Sequence, residues 1–315
     1  MLINKDALAA VINTVVTVWQ GALAAVKATW TEWAYEAPST SAGNDYKWWD
    51  LLVQIREWVG PRKEGNVKAQ KWLVPNKNYE GSFALDKNDI EDDNLGMLPG
   101  LTTSLLNGAM LYPEQLLFQL EIAGFNTACF DGQYFFDSDH PALADDGTTV
   151  SNVSTLPFTY DNLRTALVTF LTLKGAGGNP LDLEVYEVHV GPKYIETAKD
   201  YFNNQYKPGG AGEDNALKGR VKPRCNPYFT DTYAEYWVLL AKPRGGVLTP
   251  FMYQNRKAPE LSCTAMSAGD SISGGVTGQD LRQWTDREIG FGVEMRGAVT
   301  FTLWPLAYGC TGTGL

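Results

Sequence analysis

A chain of 315 residues, 44 % hydrophobic and 20 % charged, has the material for a substantial core under a lightly charged surface, which excludes an intrinsically disordered protein. Its formal net charge of -10 excludes a surface devoted to gripping a phosphate backbone, because that affinity accumulates from Lys and Arg, and suits instead a protein that surrounds nucleic acid without adhering to it. Cys129, Cys225, Cys263 and Cys310 are far apart and form no CxxC spacing, so they read as reduced structural thiols.

In chain order the first predicted element is a helix. From Asn4 to Tyr35 the residues Leu8, Val11, Ile12, Val15, Trp19, Leu23, Val26, Trp30 and Trp33 recur at three and four, one helical face, with Asn4 as N-cap. No run of 18 or more apolar residues is present, so no transmembrane helix is expected. Asp6 and Asn13 break the order of a signal peptide. Residues 38–46 read as a linker, followed by the aromatic segment from Trp48 to Trp58.

The segment from Arg56 to Gly96 has a charge pattern suited to lying against another molecule. Arg62, Lys63, Lys68, Lys71 and Lys77 face a single acid, Glu64, and the chain then turns acidic at Asp86, Asp89, Glu91, Asp92 and Asp93. Between the two blocks a strand is predicted, with Tyr79, Gly81, Phe83 and Leu85 on one face and Glu80, Ser82 and Ala84 on the other. A hairpin with limbs of about 10 residues would reach roughly 33 Å, and a two-stranded ribbon is marginal in water unless it packs on something. The basic run includes Trp72, which raises stacking on single-stranded nucleic acid. Pairing of this run with the acidic block of a neighbour is physically simpler.

A helix is predicted from Leu101 to Phe125, kinked or divided at Pro113 and stopped at Gly124. A tight Asp131-Gly132 turn follows. A helix from Asp161 to Lys174, a strand from Leu181 to Val188 and a helix from Pro192 to Tyr206 give strand-to-helix order, which indicates an α/β layer. After the Gly-rich break at 208–215 come short strands at Val221 to Lys222 and Trp237 to Ala241. The last third is strand-rich, with strands from Val247 to Tyr253, Phe291 to Arg296 and Val299 to Trp304; the final pair reads as a hairpin or bent strand about Gly297. The fold class is α+β with long outlying segments.

Catalytic signatures are absent: the chain has no GxSxG elbow, phosphate loop, dinucleotide turn or HExxH. Asp137, Asp139 and His140 could supply oxygen and imidazole ligands, but the loop reads as a capped turn, and no metal or cofactor is expected. His189, between Val188 and Val190, reads as a packed or surface histidine and not a base. A carboxylate-dependent hydrolase would need at least two of Asp137, Asp139 and Asp182 in one pocket.

Glu57-Trp58-Val59-Gly60, Asn76-Lys77, Tyr79-Glu80-Gly81 and Asp92-Asp93-Asn94-Leu95-Gly96 resemble the corresponding stretch of the Mu-like prophage major head subunit family, the capsid proteins of Mu-type tailed bacteriophages. Phe130 to Pro141, Phe251-Met252-Tyr253-Gln254 and the ending Trp304 to Gly312 are further similar points. The resemblance implies the tailed-phage major capsid protein fold. An N-terminal arm would occupy residues 1–55, an extended β-hairpin loop 56–86, a peripheral domain with its spine helix 87–160, an axial domain 161–285, and returning peripheral strands 286–315.

It also implies hexamers and pentamers of an icosahedral shell around double-stranded DNA, without sequence-specific binding or membrane contact. Assembly would take place in the bacterial host cytoplasm, with a separate scaffolding protein, a portal and a possible decoration protein. The candidate inter-subunit residues are Trp58, Arg62, Lys63, Lys68, Lys71, Trp72, Lys77, Tyr79, Phe83, Asp89, Glu91, Asp92 and Asp93. Lys68 or Lys71 could be nominated for a covalent crosslink, but nothing in the sequence shows the carboxylate such a reaction needs. On this reading Trp72→Ala impairs assembly more than folding. The alternative is a tube, neck or baseplate protein of the same particle.

Overall fold

The computed structural model describes residues 5–48, 70–86, 88–89, 96–142, 148–175, 179–210, 212–264, 271–272, 276–278 and 288–313. The first helix, α1, runs Lys5–Ala25 and stops short of the predicted length. A 3-10 turn at Trp30–Glu32 replaces its last turns, because Trp30 and Trp33 are drawn into the core. Trp33 stacks on Phe118 at 5.1 Å and sets its edge against Phe251 at 6.0 Å. Contrary to the expectation from apolar runs, Ala10–Glu32 has the length and mean hydropathy, 1.3, of a membrane span. The side chains of Val11, Ile12, Val15, Val16 and Trp19 within it are buried in the protein's own core.

The chain then forms β1 (Tyr35–Pro38), β2 (Gly43–Trp48), β3 (Gln70–Pro75) and β4 (Lys77–Asp86). The second helix, α2, is Leu98–Ala123. Its 26 residues extend about 39 Å, and it continues through Pro113 without division. Pro113 is itself buried in the row Leu106, Ala109, Pro113, Leu117, so tertiary burial of one face outweighs the missing backbone donor. At the C-terminus Gly124 keeps helical φ and ψ and is not a left-handed stop. A Cβ there would lie 3.0 Å from the Phe136 ring, so close packing explains this glycine.

Short pairs follow: β5 (His140–Pro141) with β6 (Thr149–Val150), and then β7 (Val153–Ser154). Helix α3 (Tyr160–Leu171) starts at Thr159, whose hydroxyl accepts from the Asn162 amide. Next come β8 (Leu183–Val190), α4 (Ile195–Asn203), β9 (Lys222–Cys225) and β10 (Trp237–Pro243). The last strands are β11 (Phe251–Cys263), β12 (Ser271–Ile272), β13 (Val276–Gly278), β14 (Glu288–Phe301) and β15 (Ala307–Cys310).

Two sheets organise these elements. The six-stranded sheet has the order β12-β13-β11-β14-β4, with β1 added in parallel to β11. The five-stranded sheet has the order β7-β15-β10-β8-β9. In it β8 and β9 are parallel, as a strand–helix–strand crossover requires. One core packs α1 and α2 against the first sheet, and a second packs α3 and α4 against the other.

Gly297 lies inside the unbroken strand β14, not at a hairpin turn. A Cβ there would sit 2.6 Å from the Gln254 carbonyl oxygen, so the glycine permits β11 to approach.

Candidate assembly interface

The hairpin limbs are β2 and β3, paired from Gly43↔Pro75 to Trp48↔Gln70 as a two-stranded sheet outside both larger ones. They lie earlier in the chain than the limbs the sequence suggested. The strand after them, β4, pairs with β14 over ten residue pairs, from Lys77↔Gly297 to Asp86↔Glu288, and so belongs to the body. Its apolar alternation is the reason, since Tyr79, Gly81, Phe83 and Leu85 need a core face to cover them.

The base of the hairpin is fastened by polar contacts. Trp72 Nε1 donates to Thr300 Oγ1 at 2.8 Å. Gln254 Nε2 donates to the Val74 carbonyl at 3.2 Å and to Asn76 Oδ1 at 2.6 Å. Asn76 Nδ2 in turn donates to Ser39 Oγ at 2.8 Å and to the Ser41 carbonyl at 2.9 Å. Within this base, between Trp72 and Val74, Leu73 is 66 % exposed, an apolar side chain presented outward.

Beside the base the body has an unfinished core. Strand β4 is the edge of its sheet, and every residue of its inner face is only half-buried. Phe83 stacks on Phe291 at 5.4 Å and Tyr79 meets Tyr112 edge-on at 4.9 Å. Between β4, β14 and α2 lies a cleft of about 640 Å3, lined among others by Leu101, Leu105, Gly108 and Val293. A Cβ at Gly108 would meet nothing within 4 Å, so the cleft is open over that turn of the helix.

Of the predicted contact residues, the structure brings Tyr79 and Phe83 to this cleft and places Trp72 at the hairpin base. Lys77 is exposed at the start of β4, and Asp89 takes part in an interaction. Lys71 pairs with Lys47 through the backbone ladder of β3 and β2. Trp58, Arg62, Lys63, Lys68, Glu91, Asp92 and Asp93 lie outside the described residues.

Farther along α2, at Glu121, sits a buried ionic joint that sequence reasoning missed. His189 on β8, fully buried, has Nδ1 3.0 Å from Glu121 Oε2 and Nε2 3.2 Å from Glu187 Oε2. Asn226 Nδ2 donates to Glu121 at 2.8 Å. Arg224 on β9 donates to both Glu187 oxygens, at 2.8 and 3.1 Å, and to Glu32 of the N-terminal 3-10 turn at 2.8 Å.

These contacts tie the N-terminal segment, α2 and the five-stranded sheet together. Burial opposes the charge on His189, yet Glu121 and Glu187 outweigh it and raise its pKa to about 9. Burial likewise opposes ionisation of Glu187, yet His189 and Arg224 hold it down at about 2. The signal available in the sequence was a carboxylate, Glu121, on the otherwise apolar helix face of Leu117 and Phe118, together with the two-residue spacing of Glu187 and His189.

Of the carboxylates nominated for hydrolysis, Asp182 stands apart from the other two, while Asp137 and Asp139 are hydrogen-bonded to each other. Asp182 pairs with Arg244 at 3.1 Å, both of them exposed. Asp137 accepts from the Ser138 and Tyr134 amides at 2.6 and 3.2 Å. The hydrogen bond that exposed Asp139 donates to the neighbouring Asp137 carboxylate raises the pKa of Asp139. Of the Asp137, Asp139 and His140 group, His140 is the buried member, and it faces Asp131 at 2.7 Å.

The chain is similar in sequence and in fold to known proteins. The family model described as Mu-like prophage major head subunit gpT matches residues 8–157 and 225–313. The Mu-like prophage FluMu major head subunit of Haemophilus influenzae is 38 % identical over 135 residues, 42 % of this chain and 44 % of that protein. The major capsid protein of Escherichia phage Mu is 33 % identical over 148 residues, 46 % of this chain and 48 % of that protein.

The matched part thus spans about half the length of each of these relatives. The fold is similar to that in the procapsid of bacteriophage JBD30, with a TM-score of 0.57 and 24 % identity over 98 % of this chain and 75 % of that one. The family match covers most of the sequence, and the similarity of fold extends through both sheets; the chain belongs to the Mu-like prophage major head subunit gpT family.

Proposed function

We propose that copies of this chain assemble as hexamers and pentamers into an icosahedral shell that encloses double-stranded phage DNA. The observation that carries this reading is the open apolar cleft of β4, β14 and α2 beside a hairpin whose described residues are anchored at its base. Residues 49–69, which join the hairpin limbs, would be received by a neighbouring copy, with Trp58 covering apolar surface of the kind Tyr79 and Phe83 leave half-exposed. Arg62, Lys63, Lys68 and Lys71 would set encounter and register against the acidic block Asp89, Glu91, Asp92 and Asp93. In this reading the hairpin is the extended loop, α2 the spine helix, and the layer of α3, α4 and the five-stranded sheet the axial domain. A net charge of -10 favours DNA packed inside without adhesion to the wall.

A scaffolding protein, a portal and a decoration protein belong to the same proposal, as does assembly in the bacterial host cytoplasm. Electron microscopy and mass photometry of the purified chain, with and without a co-expressed scaffold, test it. Closed shells or capsomers of five and six copies are expected. Rings or tubes alone would favour a neck, tube or baseplate component, and a monomer that stays single at high concentration in every condition would sink the proposal.

A further inference from the structure

Between the end of α2 and β5, three different ligand-bearing side chains converge. Cys129 Sγ, an Asp131 carboxylate oxygen and an imidazole nitrogen of His140 lie within 4.8 Å of one another. Cys129 is 2 % exposed, His140 fully buried, and the Asp131 side chain 4 % exposed. The carboxylate stands between the other two, accepting from the Cys129 thiol at 3.0 Å through Oδ1 and facing His140 Nδ1 at 2.7 Å through Oδ2.

The framework holding them is fixed. Cys129 and Gly132 close a turn through a 3.1 Å amide–carbonyl bond, Gly132 takes a φ of +90°, and the Cys129 amide donates to the Gln133 carbonyl at 2.8 Å. Such a turn presents its first and third side chains together. His140 enters from β5, paired with Val150 of β6, and its ring lies flat on Trp304, 4.2 Å between centroids and 7° between planes. The other nitrogen of this buried ring, Nε2, has no hydrogen-bond partner among the described residues, so hydrogen bonding there satisfies only part of the ring's polarity.

We propose that Cys129, Asp131 and His140 form a binding site for a divalent transition-metal ion of the zinc class. Sulfur, imidazole and carboxylate are the donor set such an ion prefers. On binding, the thiol proton and any Nδ1 proton leave to solvent, and the metal takes up the sulfur and nitrogen lone pairs. No electrons are exchanged. A thiolate and a carboxylate then neutralise the dication, which suits a site excluded from water. The ion would staple the turn after α2, through His140 and its stack on Trp304, to the C-terminal segment leading into β15. The site shares only His140 with the Asp137, Asp139 and His140 group considered from sequence.

The test uses the full chain, purified without a metal-binding tag and titrated with cobalt(II) as the probe. About one cobalt per chain is expected by elemental analysis, with a sulfur-to-cobalt charge-transfer band in the near ultraviolet. Added zinc should displace the cobalt and remove the band. Cys129→Ser is expected to abolish the band and weaken cobalt binding by about tenfold or more, a loss at least as large as that from disturbing a ligand's outer partners.

The wild-type measurements decide the matter even where a variant fails to fold. Stoichiometric cobalt without the sulfur band, no stoichiometric cobalt at all, or an undiminished band in folded Cys129→Ser would each overturn the proposal.

Discussion

The indole Nε1 of Trp72 lies 2.8 Å from the hydroxyl of Thr300, and this bond fastens β3 of the hairpin to β14 of the body. Thr300 is 4 % exposed, so removal of the indole donor strands a buried hydroxyl. Trp72→Phe is expected to lower stability by about 1–2 kcal/mol, seen as a lower urea midpoint at unchanged slope. Trp72→Ala, which also loses half-buried ring packing, is expected to cost about 3 kcal/mol. The indole is bonded within its own chain, so the shell yield of Trp72→Ala is to be measured under conditions where the variant remains folded. A wild-type midpoint for Trp72→Phe would show that the bond contributes nothing.

His189 gives the stability a defined pH dependence. Its folded pKa of about 9 stands above the ordinary histidine value of 6.5, so its stabilisation is complete below pH 6.5 and is lost as pH rises through about 9. Glu187, held at about 2 against an ordinary 4.5, contributes fully above pH 4.5 and loses that contribution as pH falls through about 2. The joint therefore contributes most between pH 4.5 and 6.5. A decline on the order of 2–3 kcal/mol toward pH 9 is expected. Urea unfolding at a series of pH values measures it, and His189→Gln should flatten the alkaline limb; an equal slope in both proteins would assign that limb to other groups.

Arg224 and His189 both meet Glu187 Oε2, and Arg224 also holds Glu32 of the N-terminal segment. Arg224→Met leaves a buried carboxylate with less compensation, and a loss of about 3–5 kcal/mol is expected. Hydrogen exchange should then quicken in residues 30–37 before it quickens in β10, because the joint adds to the Trp33 packing that holds that segment to α2 and β8. Uniform acceleration across the chain would contradict this order.

Gly108 separates folding from assembly. It lies inside α2 with open space where a side chain would stand, so Gly108→Ala is expected to stabilise the isolated chain by about 1 kcal/mol through helix propensity alone. Gly108→Trp should fill the cleft and leave the monomer folded by circular dichroism, while the yield of shells falls at least about tenfold, the effect of a neighbour displaced by more than 1.4 kcal/mol. Shells at wild-type yield from a folded Gly108→Trp chain would remove the cleft from the interface.

Gly297→Ala is expected to be severe for the opposite reason. The added methyl group would stand 2.6 Å from the Gln254 carbonyl and 2.6 Å from the Tyr253 hydroxyl oxygen. The β11–β14 ladder must part there, with a loss of about 3 kcal/mol or more. An unchanged thermal midpoint would show that the strands can separate without cost.

What the sequence by itself determined is everything carried by local period and composition. The alternating face of Tyr79, Gly81, Phe83 and Leu85, the helix face running through Leu106 and Leu117, and the strand-to-helix order around β8 and α4 are all local patterns, and each became an element of that type. Partners and depth were decided only in three dimensions. Period two says that a strand has two faces, but not that β4 pairs with β14 instead of its neighbour β3, and a short i to i+4 pattern cannot see that Trp30 and Trp33 must leave the helix to reach Phe118 and Tyr253. Glu121, Glu187, His189 and Arg224 are ordinary polar residues until chain closure removes water from around them. Only then does Coulomb attraction in a medium of low dielectric make them one joint, because its strength depends on distances and burial that residues 121, 187, 189 and 224 acquire together on folding.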